Sequence, residues 1–360
     1  MLDKHFWRGR RVLITGHTGF KGAWAWAWLQ HLGAEVTGLS LPPETAPNLA
    51  DELGITKSDR SILGDIRDPD VVKSAVHLAK PSIVLHMAAQ ALVRRSYRNP
   101  VETFDINVRG TLQLLQELRS SPELNACLVV TSDKVYENDD RAKNFVEDDR
   151  LGGSDPYSAS KSACEIATSS FSRSFFGKHY QGTGPGHVAT ARAGNVIGGG
   201  DWSEDRLVPD MWRARRAGTK VVLRYPDSVR PWQHVLEPLS GYFRFLEALA
   251  AGSVIPSLNF GPDDPKAVTV RNVADQFAAS YGGDNKANWT LAEGDHPKEA
   301  KTLAIDPAKA KQSLNWRPVL TPTEAIEWTA NWYASFDKGE SATKLTMNQI
   351  QEFEHRSSSI

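Results

Sequence analysis

The sequence predicts an α/β protein with a doubly wound parallel sheet. Short apolar runs, rich in β-branched residues, alternate with helical patterns up to about Ala191, and short connections join them. The first run, Arg11 to Thr15, leads directly into a glycine-rich turn, and the run Leu128 to Val130 ends in a polar cluster. Because ligands bind beyond the carboxyl ends of strands in such sheets, we expect the functional site at these two strand ends.

The composition is that of a globular protein without a charge imbalance. The chain has 360 residues, of which 40% are hydrophobic, and its formal net charge is -1. This balance argues against nucleic acid or an anionic membrane as the main partner. Cys127 and Cys164 are the only cysteines, so the sequence supports neither a disulfide framework nor a metal site. The first residues lack the apolar region of a signal peptide, so we expect a cytoplasmic protein.

The regularity of the pattern suggests a division of the chain. We assign residues 1–191 to a dinucleotide-binding domain and expect a later segment, around 220–250, to return to it. Residues 192–335 are less regular and are predicted to form a smaller α/β substrate domain. Residues 336–360 are polar and are predicted to be a loosely held tail.

The glycine-rich turn has the spacing of a dinucleotide-binding turn. Gly16, Gly19 and Gly22 follow the first strand and open a helix. Such glycines let backbone amides approach a pyrophosphate at a helix amino terminus, as in sheets of the Rossmann type. Lys21 stands where a mononucleotide phosphate loop needs glycine, so a dinucleotide is favoured over that ligand and over a plain tight turn. The predicted cofactor contacts in this turn are Gly16, Thr18, Gly19, Phe20, Lys21 and Gly22.

Further cofactor contacts are predicted after later strands. Asp65 and Ile66 follow a short strand, where Asp65 could bond an adenine or act only as a loop or cap residue. The residues that follow the fourth strand leave room for close ligand approach and are Ala88, Ala89 and Gln90. Asn107, on a long amphipathic helix, could bond backbone near the strand that ends at Val130. Residues 40–43, at the end of the second strand, do not distinguish NAD from NADP.

A tyrosine and a lysine are placed for proton transfer. Asp155 can cap a helix whose first turn holds Pro156, which puts Tyr157 and Lys161 four residues apart on one helical face. A neighbouring ammonium is expected to lower the pKa of the phenol from roughly 10, so that the phenol becomes a usable proton acceptor. We predict that both residues are catalytic and contact the cofactor. The alternative is an ordinary surface helix pair.

The chain resembles an extended short-chain dehydrogenase/reductase in the glycine turn, in Asp65 and Asn107, and in the Tyr157 to Lys161 pair. Within that superfamily it is similar to the nucleotide-sugar 4,6-dehydratases, most closely to the members that act on CDP-glucose. The matching stretches are Gly16 to Gly22, Ala88 to Tyr97, Thr131 to Tyr136, Arg192 to Trp202 and Arg230 to Pro238.

The resemblance implies tightly held NAD, CDP-D-glucose as the substrate and CDP-4-dehydro-6-deoxy-D-glucose as the product, for deoxysugar synthesis of the lipopolysaccharide O-antigen type. It also implies a homodimer, or a tetramer of two dimers, joined through the helices that start near Asn99 and Tyr157. The alternatives on the same scaffold are a nucleotide-sugar 4-epimerase and a dehydratase of dTDP- or GDP-sugars. An alternative of another class is a non-catalytic dinucleotide sensor.

The polar cluster after Val130 fits oxidation followed by elimination. Tyr157 is expected to take the proton of the sugar 4-hydroxyl while Ser132 bonds the 4-oxygen. Asp133 is the predicted acid for the departing 6-hydroxyl, provided that a dry pocket keeps it protonated. Lys134 is the predicted base for the carbon-5 proton, or else it holds Asp133 or the substrate in place. The dTDP-glucose enzymes have glutamate at that position, whereas the CDP-glucose enzymes have lysine.

The second half of the chain supplies the predicted substrate contacts. Arginines scattered among glycine, proline and aromatic residues suit a cleft that grips a pyrophosphate with bidentate bonds, although any single one could be only solvated. An asparagine resembles the one that contacts substrate phosphate in the family. The predicted contacts are Arg192, Asn195, Arg206, Leu207, Arg224, Arg230 and His296.

Overall fold

The computed structural model describes residues 2–138, 144–177, 184–264, 268–282, 289–294 and 303–359. The two strands expected at Arg11 to Thr15 and Leu128 to Val130 lie within two residues of those positions, because the short apolar runs are the parts of the chain that pair. The strands are β1 (Arg11–Thr15), β2 (Glu35–Ser40), β3 (Ser61–Leu63), β4 (Ile83–His86), β5 (Ala126–Val130), β6 (His187–Ala193), β7 (Val196–Ile197), β8 (Val221–Leu223), β9 (Gln233–His234), β10 (Ser257–Phe260) and β11 (Trp289–Leu291).

Helices connect the strands and continue beyond the last of them. Within the described residues, none is both long enough and apolar enough to cross a membrane. The helices are α1 (Lys4–Trp7), α2 (Phe20–His31), α3 (Leu49–Glu52), α4 (Pro69–Ala79), α5 (Val93–Arg98), α6 (Pro100–Phe104), α7 (Thr111–Leu118), α8 (Pro156–Phe175), α9 (Leu207–Arg216), α10 (Leu236–Ala250), α11 (Val270–Tyr281), α12 (Ala308–Leu314), α13 (Pro322–Asp337) and α14 (Ala342–Ser357).

The central sheet confirms the predicted fold class. Seven strands pair in parallel in the order β10-β6-β5-β4-β1-β2-β3. The chain winds outward from β1 through β2 to β3, then crosses to β4 and winds the other way. The order therefore reverses between β1 and β4, and the crevice at that point is the ligand site expected of an open α/β sheet.

A later segment does return to the main sheet, slightly further along the chain than predicted. Helix α10 packs against β5 and β6, and β10 then pairs with β6. The returning segment is thus 236–260, whereas the sequence suggested 220–250. The remaining pairings of the second half are two small parallel pairs, β8 with β11 and β7 with β9.

The long helix predicted from Pro100 is present but contains a π-helical segment. It runs as α6, a π-helical stretch over Asp105–Gly110, and α7. The wider turn falls at Asn107, which is buried and directed at the cleft wall described below. Such π-bulges within α-helices often occur at functional sites.

The prediction of a loosely held C-terminal tail is wrong. Helix α14 packs against α13 and α2, and its side chains Thr346, Ile350 and Phe353 are buried. Phe353 meets the Trp28 ring of α2 edge-on at a centroid separation of 5.6 Å. The tail is rich in polar residues, but its apolar residues recur at helical spacing and cover the outer face of α2.

Replacing Phe353 with alanine should test the contribution of α14. Removal of a fully buried aromatic side chain typically costs about 3–5 kcal/mol, so we expect the melting temperature to fall by several degrees. Gln351→Ala, an exposed position on the same helix, is the matched control and should leave the melting temperature nearly unchanged. Equal melting temperatures for F353A and the control would contradict the packing described here.

Candidate active site

A cleft of about 780 Å³ opens at the carboxyl ends of the central strands, where the strand order reverses. The turn after β1, the segment after β4 and the ends of β5 and β6 line it. Helix α9 and the residues around β8 complete the lining. Its volume is typical of a site that encloses a ligand of cofactor size.

The turn after β1 requires its glycines. Gly16 has φ +79°, and a Cβ there would lie 2.8 Å from the backbone nitrogen of Ala88. A Cβ on Gly22 would lie 2.1 Å from the carbonyl oxygen of Gly16. Thr18 ties the turn to the end of β2 by bonding Ser40 Oγ at 2.7 Å. The cleft is lined here by the predicted residues Gly16, Thr18, Gly19, Phe20, Lys21 and Gly22.

The segment after β4 forms the next part of the wall. Ile66, Ala88, Ala89 and Gln90 line the cleft as predicted. Asn107 lies behind this wall, where its amide accepts from Gln90 N at 2.8 Å and donates to Gln90 O at 3.1 Å and to Ser160 Oγ at 2.9 Å. Asn107 therefore bonds backbone, which was one part of its prediction. It shapes the wall but is not itself among the residues that line the cleft.

Asp65 forms an ion pair next to the cleft. Its carboxylate binds the Arg67 guanidinium, with its Oδ2 at 2.6 Å from Nη2, and it is not among the described residues that line the cleft. The same ion pair lowers the pKa of Asp65. Of the two predicted residues after β3, Ile66 lines the cleft, and an adenine contact by Asp65 stays a prediction.

Helix α8 begins as its sequence predicts. Asp155 accepts a hydrogen bond from Ser158 N at 3.0 Å, and Pro156 occupies the first turn. The Tyr157 backbone nitrogen donates to Ser96 Oγ of α5 at 3.1 Å, which fixes the first turn against the cleft. Tyr157 and Lys161 are both buried and both line the cleft.

The effect of Lys161 on Tyr157 is not the predicted one. Burial raises the pKa of Tyr157 to about 12, against an opposing contribution from the Ser132 hydroxyl. The Lys161 ammonium donates to the carbonyl oxygen of Val130 at 3.1 Å, and burial lowers its own pKa. Desolvation thus outweighs the attraction between ammonium and phenolate that the spacing of the pair suggests.

Asp133 has the surroundings of a protonated acid. Only 3% of it is exposed, and its Oδ2 has no hydrogen-bond partner in the described part of the chain. Ser132 Oγ donates to its other oxygen at 3.1 Å and accepts from Lys134 N at 3.2 Å. Burial raises the pKa of Asp133, and the Lys134 charge opposes the rise. Gly194 leaves the room that the carboxyl needs, since a Cβ there would lie 2.8 Å from Oδ2.

Most predicted substrate contacts reach the cleft. Asn195, Arg206, Leu207, Arg224 and Arg230 line it. Arg206 Nη1 also binds Asp201 Oδ2 at 3.1 Å, and the charge of Arg230 opposes the rise in the pKa of Asp133. His296 lies outside the described residues.

Comparison with known proteins places the chain in a family. A family model described as GDP-mannose 4,6 dehydratase matches residues 13–329. The chain is 42% identical to the CDP-glucose 4,6-dehydratase of Salmonella typhimurium, over 98% of both chains. The chain belongs to this family of nucleotide-sugar 4,6-dehydratases.

Solved structures support the same fold. The dTDP-glucose 4,6-dehydratase of Streptomyces venezuelae, crystallised with NAD, superposes with a TM-score of 0.75 at 22% identity, over 92% of this chain and 99% of that one. The UDP-glucose 4-epimerase of Thermotoga maritima gives 0.74 at 20% identity, over 90% and 99%. Because a dehydratase and an epimerase fit equally well, the fold alone does not separate their reactions.

Arg192, in one of the stretches that match this 4,6-dehydratase family, is not a substrate contact. It lies on β6 and forms a bidentate ion pair with Glu165 of α8, with both nitrogen–oxygen distances at 2.9 Å. Its remaining nitrogen donates to Tyr136 OH and to the Glu147 carbonyl. The Arg192 and Glu165 side chains are each 4% exposed, and neither residue lines the cleft. Four of its five N–H donors are thus bonded within the protein, as a buried charge requires, and the side chain is enclosed away from the cleft.

Several acidic residues at the cleft of this 4,6-dehydratase were not predicted from its sequence, among them Glu44 and Asp201. Glu44 lines the cleft after β2 and holds Arg95 with two bonds, at 2.7 and 2.8 Å. Asp201 also lines the cleft and holds Arg206. The sequence prediction considered only residues 40–43 at the end of β2. Glu44 comes next in the chain, directly after two prolines. A search of the whole connection would have found it.

Replacing Arg192 with methionine should destabilise the protein without a specific effect on substrate affinity. Removing one partner of a buried ion pair leaves an unpaired charge, which typically costs about 3–5 kcal/mol. The double variant E165M/R192M should recover part of the loss in a thermal unfolding experiment, because no lone charge remains. A stable R192M protein with a raised KM for substrate would restore Arg192 to the substrate site.

Proposed function

We propose that this chain is an NAD-dependent dehydratase that converts CDP-D-glucose to CDP-4-dehydro-6-deoxy-D-glucose and water. The observation that carries the proposal is the dry carboxyl of Asp133 in the same cleft as Tyr157. A 4-epimerase needs the tyrosine but has no leaving hydroxyl to protonate. The specificity for CDP-glucose is supported by the Salmonella relative, which carries that name and is 42% identical over 98% of its length.

The glycine turn fits a dinucleotide. The close packing of Gly16 on Ala88 and of Gly22 on Gly16 leaves the turn with backbone only, at the amino terminus of α2. Backbone amides at such a terminus suit the pyrophosphate. Ile66, Ala88, Ala89 and Gln90 would line the rest of the binding groove. When bound, NAD supplies the hydride acceptor for carbon 4 of the sugar and later the hydride donor for carbon 6.

The first proton transfer belongs to Tyr157. In its phenolate form, Tyr157 takes the proton of the 4-hydroxyl as carbon 4 is oxidised, and Ser132 bonds the 4-oxygen. The Lys161 ammonium, anchored on the Val130 carbonyl, supplies a positive charge one helical turn away. The product of this step is a ketone at carbon 4, which makes the hydrogen on carbon 5 acidic.

The elimination belongs to Asp133 and Lys134. Asp133 gives its proton to the 6-hydroxyl, which leaves as water, while the carbon-5 proton passes to a base. Lys134 lines the cleft beside Asp133 and is the proposed base; its other role would be to hold Asp133 or the substrate. Reduction at carbon 6 and protonation at carbon 5 complete the reaction, so one water is lost and no net oxidation occurs.

Three arginines and an asparagine in the cleft suit the diphosphate of the substrate. Asn195, Arg206, Arg224 and Arg230 line the cleft, and Leu207 begins α9 directly after Arg206. Guanidinium groups match phosphate geometry through paired donors, so these residues are the proposed diphosphate contacts. The product, a keto-deoxysugar nucleotide, would enter deoxysugar synthesis.

We infer a homodimer, or a tetramer of two dimers, in the cytoplasm. Helices α6 and α8 pack side by side, and both present exposed apolar side chains, with Val101 81% and Ile166 61% exposed. Apolar side chains grouped on neighbouring helices favour a helical interface between two subunits. The buried free thiols of Cys127 and Cys164 are compatible with a reducing compartment.

A product assay tests the proposal. The purified protein is incubated in heavy water with CDP-, dTDP-, UDP- or GDP-glucose, with and without added NAD, and the products are examined by mass spectrometry. We expect loss of one water from CDP-glucose alone, with one deuterium at carbon 5. An epimerised sugar would favour the 4-epimerase, and NAD binding without turnover would favour the dinucleotide sensor.

Two variants should stop the reaction at different points. Tyr157→Phe should give neither product nor reduced cofactor, because the first proton has no acceptor. Asp133→Asn should still allow oxidation at carbon 4, while loss of the general acid slows dehydration by about 10²–10⁴-fold. Reduced cofactor, followed by its absorbance, should therefore accumulate only in D133N. Asp148→Asn, at an exposed position, is the control. If reduced cofactor does not accumulate in D133N, Asp133 has no role in the elimination step.

A further inference from the structure

Lys21 is the one charged residue of the glycine turn, and its side chain faces the reaction centre. It lies in the first turn of α2, lines the cleft and has no hydrogen-bond or ion-pair partner among the residues that the structure describes. A turn that only needs backbone amides for a pyrophosphate has no use for a charge here. The position of this lysine therefore calls for a separate role.

The charges that surround Lys21 come from several elements. Lys161 lies on α8, Asp133 follows β5, and Asp201 and Arg206 lie on the connection before α9. Burial and, to a smaller extent, the charges of Arg206 and Lys161 lower the pKa of Lys21 to about 8, against the opposing effect of the two aspartates. The ammonium thus interacts electrostatically with Lys161 and Asp133, both assigned above to the reacting end of the cleft.

The reacting end is also where the nicotinamide must lie. The hydride leaves the same carbon whose hydroxyl gives its proton to Tyr157, so the ring has to reach the neighbourhood of Tyr157 and Lys161. The oxidised nicotinamide carries a positive charge and the reduced form is neutral, whereas the pyrophosphate is the same in both. A nearby cation therefore disfavours the oxidised form alone.

We propose that the Lys21 ammonium shifts the bound cofactor toward its reduced form and so favours the initial oxidation of the sugar. This inference rests on the proposed NAD-dependent function, and it assigns to the turn a role in the redox balance besides cofactor binding. A contact between Lys21 and the pyrophosphate would strengthen the binding of NAD⁺ and NADH equally. A contact between Lys21 and the substrate would strengthen the binding of neither form.

The test measures the preference of the protein for NADH over NAD⁺ without any substrate. Holoenzyme is equilibrated with defined mixtures of the two forms, separated from free cofactor, and the bound ratio is determined by absorbance. We expect Lys21→Met to lower the preference for NADH by about tenfold, as removal of one neighbouring charge would. Lys21→Arg should retain the preference, and the exposed Lys73→Met is the control.

The pH dependence gives a second measurement on the unmodified protein. As the pH rises through about 8, Lys21 loses its proton. The preference of the wild type should therefore approach that of K21M measured at the same pH, while the difference between K21R and K21M should persist. If the ratio of bound NADH to bound NAD⁺ in K21M equals that of the wild type, the proposal is overturned, whether or not both forms bind more weakly. The inference and the proposed function can also be separated. If K21M shifts the ratio but the wild type dehydrates no nucleotide sugar, this inference stands and the proposed function is rejected.

Discussion

The carboxylate of Glu165 holds α8 onto the end of β5 and onto β6. It lies on α8, two turns after Tyr157, and accepts bonds from the Thr131 hydroxyl after β5 and from the Thr190 hydroxyl and Arg192 guanidinium of β6. These contacts fix α8 against the very strand ends that carry Ser132 and Asp133. The ion pair is fully enclosed, so its bonds are not exchanged for bonds to water. The relative positions of Tyr157, Lys161, Ser132 and Asp133 depend on this contact.

The same enclosure determines the charge states in the cleft. Burial is the largest cause of the raised pKa values of Asp133 and Tyr157 and of the lowered pKa values of Lys161 and Lys21. In each case it favours the neutral form, since an ion loses its hydration when water is excluded. The pKa of Asp133 thereby moves toward those of the two lysines, whereas the pKa of Tyr157 moves away from them.

Local sequence patterns predicted the parts of the structure that depend on neighbouring residues. The strand Arg11–Thr15, the glycine turn and the Asp155 cap each follow from adjacent residues, and the structure contains them as expected. Arg192 was assigned wrongly because its partner, Glu165, is distant in sequence, and no local pattern links the two. The pKa of Tyr157 was also misjudged, because its direction depends on burial by the whole fold.

The C-terminal helix shows a different reason for a wrong prediction. Ala342, Thr346, Ile350 and Phe353 follow one another at intervals of three or four residues, and all are buried. This helical pattern was present in the sequence, but the polar composition of the segment concealed it. Periodicity is the better guide in such a segment, because a helix on the surface needs only one apolar stripe to pack.

The proposed chemistry asks for opposite charge states in neighbouring groups. Asp133 must hold its proton, whereas Tyr157 must lose one before it can accept the proton of the sugar. An ionised Asp133 would raise the pKa of Tyr157 further, through the repulsion between two negative charges. A protonated Asp133 removes this repulsion and leaves the Ser132 hydroxyl and Arg206 to favour the phenolate. The burial of Asp133 therefore serves both steps, because it preserves the acid for the elimination and assists the base in the oxidation that precedes it.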